Sequence, residues 1–213
     1  MKHHITSVRI ITIVILPLLV MLNSCSYSSK NHHGMVEIQR IDPSILVDLR
    51  YKTSDNITKK PLYPADMPAL LRPLTAKRLA HASKLVKKSG YRLIVWDAYR
   101  PQSAQIALWD ASGHNVNFVA NPYTNPSLHT HGVAVDLTLA FDDGTPAPMP
   151  TEFDNFSKKA SPHYIHPNPS VRRNLHILKD AMEKAGFQYI HAEWWHFLDQ
   201  DYKQYEAIPS LTL

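Results

Sequence analysis

Between Val133 and Leu139 the chain alternates: Val133, Val135, Leu137 and Leu139 fall on one side, Ala134, Asp136 and Thr138 on the other. A period of two belongs to a strand lying on a core. Any fold built on this segment must cover one face and leave the Asp136 carboxylate on the other.

The neighbouring segments supply the cover. Thr75 reads as the N-cap of a helix running to Ser89, with Leu79, Ala82 and Val86 on one face and Gly90 as its stop. Tyr91–Trp96 follows as a short apolar strand. Pro101, tolerated at a first helical position, opens a helix to about Ala111. Ser170 reads as the cap of a second long helix carrying Val171, Leu175, Leu178 and Met182, ended by Gly186. Phe187–Ile190 and Trp194–Leu198 then close the layout as strands. The expected class is α+β, a single domain in which helices pack on a small, mostly antiparallel sheet.

The first 24 residues stand outside that fold. They carry Lys2 and Arg9, no acidic residue, and an apolar run from Ile10 to Leu22 broken only by Thr12 and Pro17. That is the pattern of a signal peptide and is short for a spanning helix. Leu22-Asn23-Ser24-Cys25 is similar to the lipobox of bacterial lipoproteins, so Cys25 is expected to carry a lipid and the protein to be exported, membrane-anchored and facing the periplasm or cell exterior. An ordinary cleaved signal with an incidental cysteine is the plainer alternative. Residues 25–34 read as a polar tether and 35–213 as the domain. With a single cysteine no internal disulfide is possible. The formal charge of +5 includes Lys2 and Arg9, and the remaining mild excess is too dispersed to indicate a nucleic-acid partner.

Three long proline-bearing stretches, 53–73, 112–126 and 141–169, separate the elements. Loops of this length in a compact domain are commonly functional, and these flank the segments with chemistry, so they are read as walls of a restricted cleft. The chemical segments are Ser127-Leu128-His129-Thr130-His131-Gly132-Val133-Ala134-Val135-Asp136 and Glu193-Trp194-Trp195-His196. A catalytic zinc takes three protein ligands and keeps one position open. His129, Asp136 and His196 supply two neutral donors and an anion for one zinc ion per subunit, and Glu193 is left as a general base.

Each residue also has a plain reading. Any one of thirteen histidines, taken alone, is more readily a surface or hydrogen-bonded group than a ligand. His131 is read as surface or supporting, and Asp136 alone could be a strand-end hydrogen-bonder. The combination is more specific than its parts, with Gly132 and Ala134 read as making room beside the ligands. One geometric conflict follows: in a regular strand Glu193 and His196 would point to opposite faces, so a bulge, strand end or strong twist is expected there.

The spacing Ser127-x-His129-x-x-Gly132-x-Ala134-x-Asp136 followed by Glu193-x-Trp195-His196 resembles the signature of the zinc D-alanyl-D-alanine peptidases, specifically the VanX-type D-Ala-D-Ala dipeptidases. Val47–Tyr51, Trp96–Gln102 and Phe118–Pro122 are similar to dipeptidase segments in the same order, so the resemblance covers roughly Met35 to Asp201. It implies zinc ligation by His129, Asp136 and His196, a general base at Glu193, and Arg100 over the scissile carbonyl. Attack on an amide builds charge on oxygen, which a fixed guanidinium stabilises; the plain reading of Arg100 is a surface residue ending a strand.

The resemblance also implies that Asp154 receives the substrate ammonium, with Tyr51 as its hydroxyl partner and Ser127 bonding the substrate carboxylate. An anion meeting an ammonium in a closed pocket favours short substrates; Asp154 could equally cap a turn. The implied activity is hydrolysis of D-alanyl-D-alanine, or of short peptidoglycan peptides. A D,D- or L,D-carboxypeptidase trimming cell-wall peptides is the related alternative, and a noncatalytic wall-peptide-binding lipoprotein the more distant one. A leader of lipoprotein type departs from what a cytoplasmic dipeptidase would carry.

Overall fold

The structure is a computed structural model that describes Met1 and residues 32–208. Apart from Met1, the expected signal peptide, together with Cys25 and most of the expected tether, lies outside the described residues. Asn31–Leu213 forms one compact unit.

In chain order the elements are β1 (Val36–Glu37), α1 (Ile38–Ile41), β2 (Leu46–Val47), β3 (Leu70–Leu71), α2 (Pro73–Lys87), β4 (Arg92–Asp97), α3 (Gln102–Ala111), β5 (Ala134–Ala140), α4 (Pro169–Lys184), β6 (Phe187–Tyr189) and β7 (His196–Asp199), with short 3₁₀ turns at Arg50–Lys52, Lys158–Ala160 and Tyr202–Gln204. The main sheet has the order β2-β4-β5-β7-β6. Only its β2–β4 pair is parallel; the other neighbours are antiparallel. β1 and β3 form a separate two-stranded ribbon. The α+β class and the mostly antiparallel sheet stand as expected.

Helices α2 and α4 lie against each other and against the sheet. The face of α2 read from sequence is the buried one: Leu79, Ala82 and Val86 have no exposed surface. Burying each such Leu or Val stabilises the fold by about 1.5–3 kcal/mol. Val171, Leu175, Leu178 and Met182 do the same for α4.

Helix starts differ from the reading. Pro73 and Pro169 each sit at the first helical position, where a fixed φ helps and a missing N–H costs nothing. Thr75 is therefore inside α2, buried, and its hydroxyl donates to Asp199 Oδ2 at 2.7 Å. The cap of α4 is Asn168, whose side chain accepts from the Ser170 N–H at 2.8 Å. α3 begins at Gln102, with Pro101 as the residue before it.

β5 also differs. All seven of its residues are buried, Asp136 and Thr138 included. The side expected to face outward is covered by the long loops, so the strand is central rather than half-exposed.

Beneath those loops runs a chain of aromatic contacts. Tyr63 meets Tyr51, Tyr51 meets Phe153, and Phe153 packs against both Trp96 and Trp195, with ring centroids 5.4–5.7 Å apart. Trp194 closes the cluster against Trp96 and Trp195, and its indole N–H donates to Thr151 Oγ1 at 2.9 Å. Edge and tilted aromatic pairs of this kind add about 0.5–1.5 kcal/mol each beyond burial. They fix the loops over one face of the sheet.

Candidate active site

Sheet register sets the row on which the site is built. Asp136 pairs with His196 across β5–β7 and with Asp97 across β4–β5, and residues directly opposite share a face. The Asp97 pairing depends on a bulge: Val95 stands opposite Leu137, yet Asp97 stands opposite Asp136. In a regular ladder those two carboxylates would point to opposite faces; the extra residue, Trp96, turns Asp97 to the side of Asp136.

His129 enters from the turn preceding β5. Thr130 holds that turn, its N–H and hydroxyl both donating to the Ser127 carbonyl. Gly132 has φ +70°, and a side-chain carbon there would sit 3.0 Å from Met35 Sδ. The expectation that Gly132 makes room beside the ligands is corrected: the glycine serves the left-handed turn and its packing on Met35, Arg72 and Ile208.

The three expected ligand side chains come together. His196 Nδ1 lies 2.8 Å from Asp136 Oδ1 and 3.2 Å from His129 Nε2, and Asp136 Oδ2 lies 3.4 Å from His129 Nε2. A tetrahedron with metal–ligand bonds of 2.0–2.1 Å has edges of about 3.3 Å, so the spacing suits one zinc ion. The far nitrogen of His129, Nδ1, lies 2.7 Å from the Ala98 carbonyl. A carbonyl only accepts, so Nδ1 carries the proton and Nε2 offers a lone pair.

Charge completes the fit. Burial pushes the Asp136 carboxyl up, but the imidazoles of His129 and His196 outweigh it and hold the group well below the ordinary carboxylate range. Burial depresses His196 against the pull of Asp136, favouring the neutral ring that a metal requires.

Glu193 is buried, with Oε2 4.0 Å from His196 Nδ1. Burial, then the charges of Asp136 and Asp154, push its carboxyl well above the usual range, with Arg100 opposing. The odd spacing of Glu193 and His196 is resolved as a strand end: β7 starts at His196, and the His196 N–H donates to the Glu193 carbonyl at 3.4 Å. The preceding Trp194 and Trp195 form the turn and lie outside the strand expected for them.

Arg100 is buried and anchored on every side. Its Nε and Nη2 donate to Asp97 Oδ2, its Nη1 donates to Gln105 Oε1 at 2.9 Å, and Nη2 reaches to 3.5 Å from Asp136 Oδ2. Its guanidinium carbon lies 5.1 Å from the Tyr51 ring centre. Asp97 has no exposed surface and also accepts from the Tyr63 hydroxyl at 2.6 Å.

Tyr51 and Asp154 meet as a pair, the Tyr51 hydroxyl donating to Asp154 Oδ1 at 3.1 Å. The Ile57 N–H donates to Asp154 Oδ2 at 3.1 Å. Burial pushes the Asp154 carboxyl up to about 6, against those two hydrogen bonds and the Arg100 charge. Its φ of 57° is a strained setting for a residue other than glycine. Burial, then the Asp154 charge, raises the Tyr51 hydroxyl well above its ordinary value, so it remains a donor. Ser127 Oγ accepts from the His129 N–H at 3.3 Å.

All eight expected residues line one cavity of about 430 Å³. Loops 112–126 and 141–169 contribute Phe118, Asn125 and Phe156 to its wall. Loop 53–73 enters the site through Ile57, on Asp154, and Tyr63, on Asp97. His131 is not among the ligands: its Nδ1 lies 2.8 Å from the Tyr205 carbonyl. Sequence reasoning missed Asp97, Gln105 and Tyr63. The clue for Asp97 was its place three residues before Arg100, but nothing local announces the bulge.

The chain matches the family model described as D-Ala-D-Ala dipeptidase, of the M15 peptidases, over residues 31–210. It is 36% identical over 165 residues to a D-alanyl-D-alanine dipeptidase of Escherichia coli K12, covering 76% of this chain and 83% of that protein. An Enterococcus faecium protein of the same name is 30% identical over 187 residues, covering 79% and 92%. An Enterococcus faecalis one is 28% identical over 191 residues, covering 80% and 94%.

Proposed function

Because the chain belongs to the D-Ala-D-Ala dipeptidase family of M15 peptidases, we propose that it hydrolyses D-alanyl-D-alanine to two D-alanines. One observation carries the reading: His129, Asp136 and His196 converge on one point, and the same cavity holds Glu193, Arg100 and the Tyr51–Asp154 pair.

His129, Asp136 and His196 would hold one zinc ion. When bound, it supplies Lewis acidity for amide attack. Glu193 takes the proton of the attacking water and passes it to the departing amine, so water adds across the C–N bond and no further reactant is needed. A carboxyl raised by burial is a stronger proton acceptor than an exposed one. Arg100, held by Asp97 and Gln105, faces the carbonyl oxygen as negative charge develops there. Asp154, with Tyr51 behind it, receives the substrate ammonium, and Ser127 bonds the substrate carboxylate. A buried anion at the amine end selects substrates with a free amine at that position.

Comparing D-Ala-D-Ala with a pentapeptide ending in D-Ala-D-Ala tests the assignment. The dipeptide is the better substrate by kcat/KM. Preferential cleavage of the pentapeptide would replace this reading with a carboxypeptidase, and turnover of neither would leave a wall-peptide binder.

From the sequence we further propose that residues 1–24 direct export, that Cys25 carries the lipid anchor at the start of a tether spanning residues 25–34, and that the catalytic domain, 35–213, faces the periplasm or cell exterior. Cys25→Ser should move the protein from the membrane to the soluble fraction; retention in the membrane fraction would argue against acylation.

A further inference from the structure

A second pair of imidazole nitrogens meets away from the cleft. His163 Nε2 lies 2.9 Å from His191 Nδ1, with the rings stacked 5.1 Å apart. Both side chains are exposed. His163 belongs to the loop between β5 and α4, His191 to the turn between β6 and β7. The Tyr189 ring is set edgewise against both, 5.7 Å from His163 and 6.3 Å from His191. The nitrogen spacing is close to the 3.2 Å between His129 Nε2 and His196 Nδ1.

We propose that His163 and His191 form a second, surface transition-metal site. Two nitrogens that face each other must share either a proton or a cation. In water a neutral hydrogen bond of this kind contributes only about 0.5–1.5 kcal/mol, whereas a late transition metal engages both lone pairs. Among the described residues no third His, Cys, Asp or Glu joins the pair, so water completes the coordination. Imidazole donors alone select zinc, copper or nickel over magnesium or calcium, which take oxygen ligands. Lys179 Nζ, 4.1 Å from the Tyr189 ring centre, adds positive charge nearby and weakens the site, which therefore fills after the buried triad.

The position gives the site a consequence. The two segments are already joined where the Trp194 N–H donates to the Ala160 carbonyl at 2.8 Å. An ion held by His163 and His191 braces that joint, at the residue directly after Glu193, and stabilises the folded state when zinc is in excess.

Zinc binding to the metal-stripped full chain, measured by equilibrium dialysis, tests the proposal. Wild type should take two equivalents, the second more weakly. His163→Ala and His191→Ala should each weaken the second at least tenfold, with dipeptide turnover at one equivalent unchanged and metal-free melting lowered by only a few degrees, the loss of one exposed hydrogen bond. His191→Asn serves if His191→Ala does not fold. Equal zinc uptake by wild type and both variants would overturn the proposal, leaving the pair a hydrogen bond. Loss of both equivalents in either variant would also overturn it, since the pair would then belong to the first centre. The readout is a difference of one equivalent, so failure of the triad would lower all three proteins together and leave that difference intact.

Discussion

Arg100 and Asp97, three residues apart, meet through two guanidinium nitrogens on one carboxylate oxygen, with Nε at 2.9 Å and Nη2 at 2.7 Å from Asp97 Oδ2. Asp97 in turn lies 3.4 Å from His129 Nδ1. One buried carboxylate thus orients the arginine and stands behind the His129 imidazole.

Asp97→Asn should leave the fold and zinc content in place but release Arg100 from its fixed position. Loss of one oriented donor costs about 10²–10³ in kcat, so a fall approaching that range is expected with KM nearly unchanged. A rise in KM alone would show that Arg100 acts in binding and not in the reaction.

Glu193→Gln keeps the size of the side chain and removes the proton acceptor. A general base contributes typically about 10²–10⁴ in rate. Turnover of D-Ala-D-Ala should fall by that factor while zinc content, assayed directly, stays the same. Activity within tenfold of wild type would remove Glu193 from its role.

Asp154 yields opposite effects on stability and function. Its carboxyl is raised from 3.8 to about 6 in the fold, so the native state holds the proton more tightly than the unfolded chain. Its contribution to stability is therefore most favourable in acid and is lost as pH rises through about 6. At pH 8 Asp154→Asn should stabilise the protein by up to about 3 kcal/mol, read by urea denaturation, while raising KM for the dipeptide. In wild type that KM should climb as pH falls below about 6, and the variant should lack this rise. Lower stability of the variant at pH 8 would contradict the burial argument.

Zinc removal should loosen the fold as well as end turnover. Binding at a hundredfold excess over Kd stabilises by about 2.7 kcal/mol, which at this chain length moves the melting midpoint by about 5–10 °C. With one equivalent of zinc, chelator should lower the midpoint by that amount in wild type and by much less in His196→Ala. An unchanged midpoint in wild type would count against the triad.

Much of this was legible in the sequence. The period-two run ending on Leu139 gave the central strand, and the apolar faces of α2 and α4 were readable from Leu79, Val86, Leu175 and Met182. The helix starts were displaced because Pro73 and Pro169 set the first turn ahead of Thr75 and Ser170. Covering of the Asp136 face was invisible, since it comes from loops with no periodicity. The expected ligand residues could be named from the sequence, but their convergence rests on the β5–β7 register that pairs Asp136 with His196 and on the turn that carries His129. Asp97 escaped notice for the same reason: its face is decided by one extra residue, Trp96, and a bulge leaves no mark in hydrophobic pattern.

The aromatic cluster under the cleft has an optical consequence. The chain contains four tryptophans, and three of them, Trp96, Trp194 and Trp195, meet edge to face beside Asp97 and Glu193. Trp195 lines the cavity and the other two pack directly on or behind it, so much of the intrinsic fluorescence of the protein arises in and beside the cleft. Filling that chamber with metal or peptide should register in the emission spectrum without any attached label.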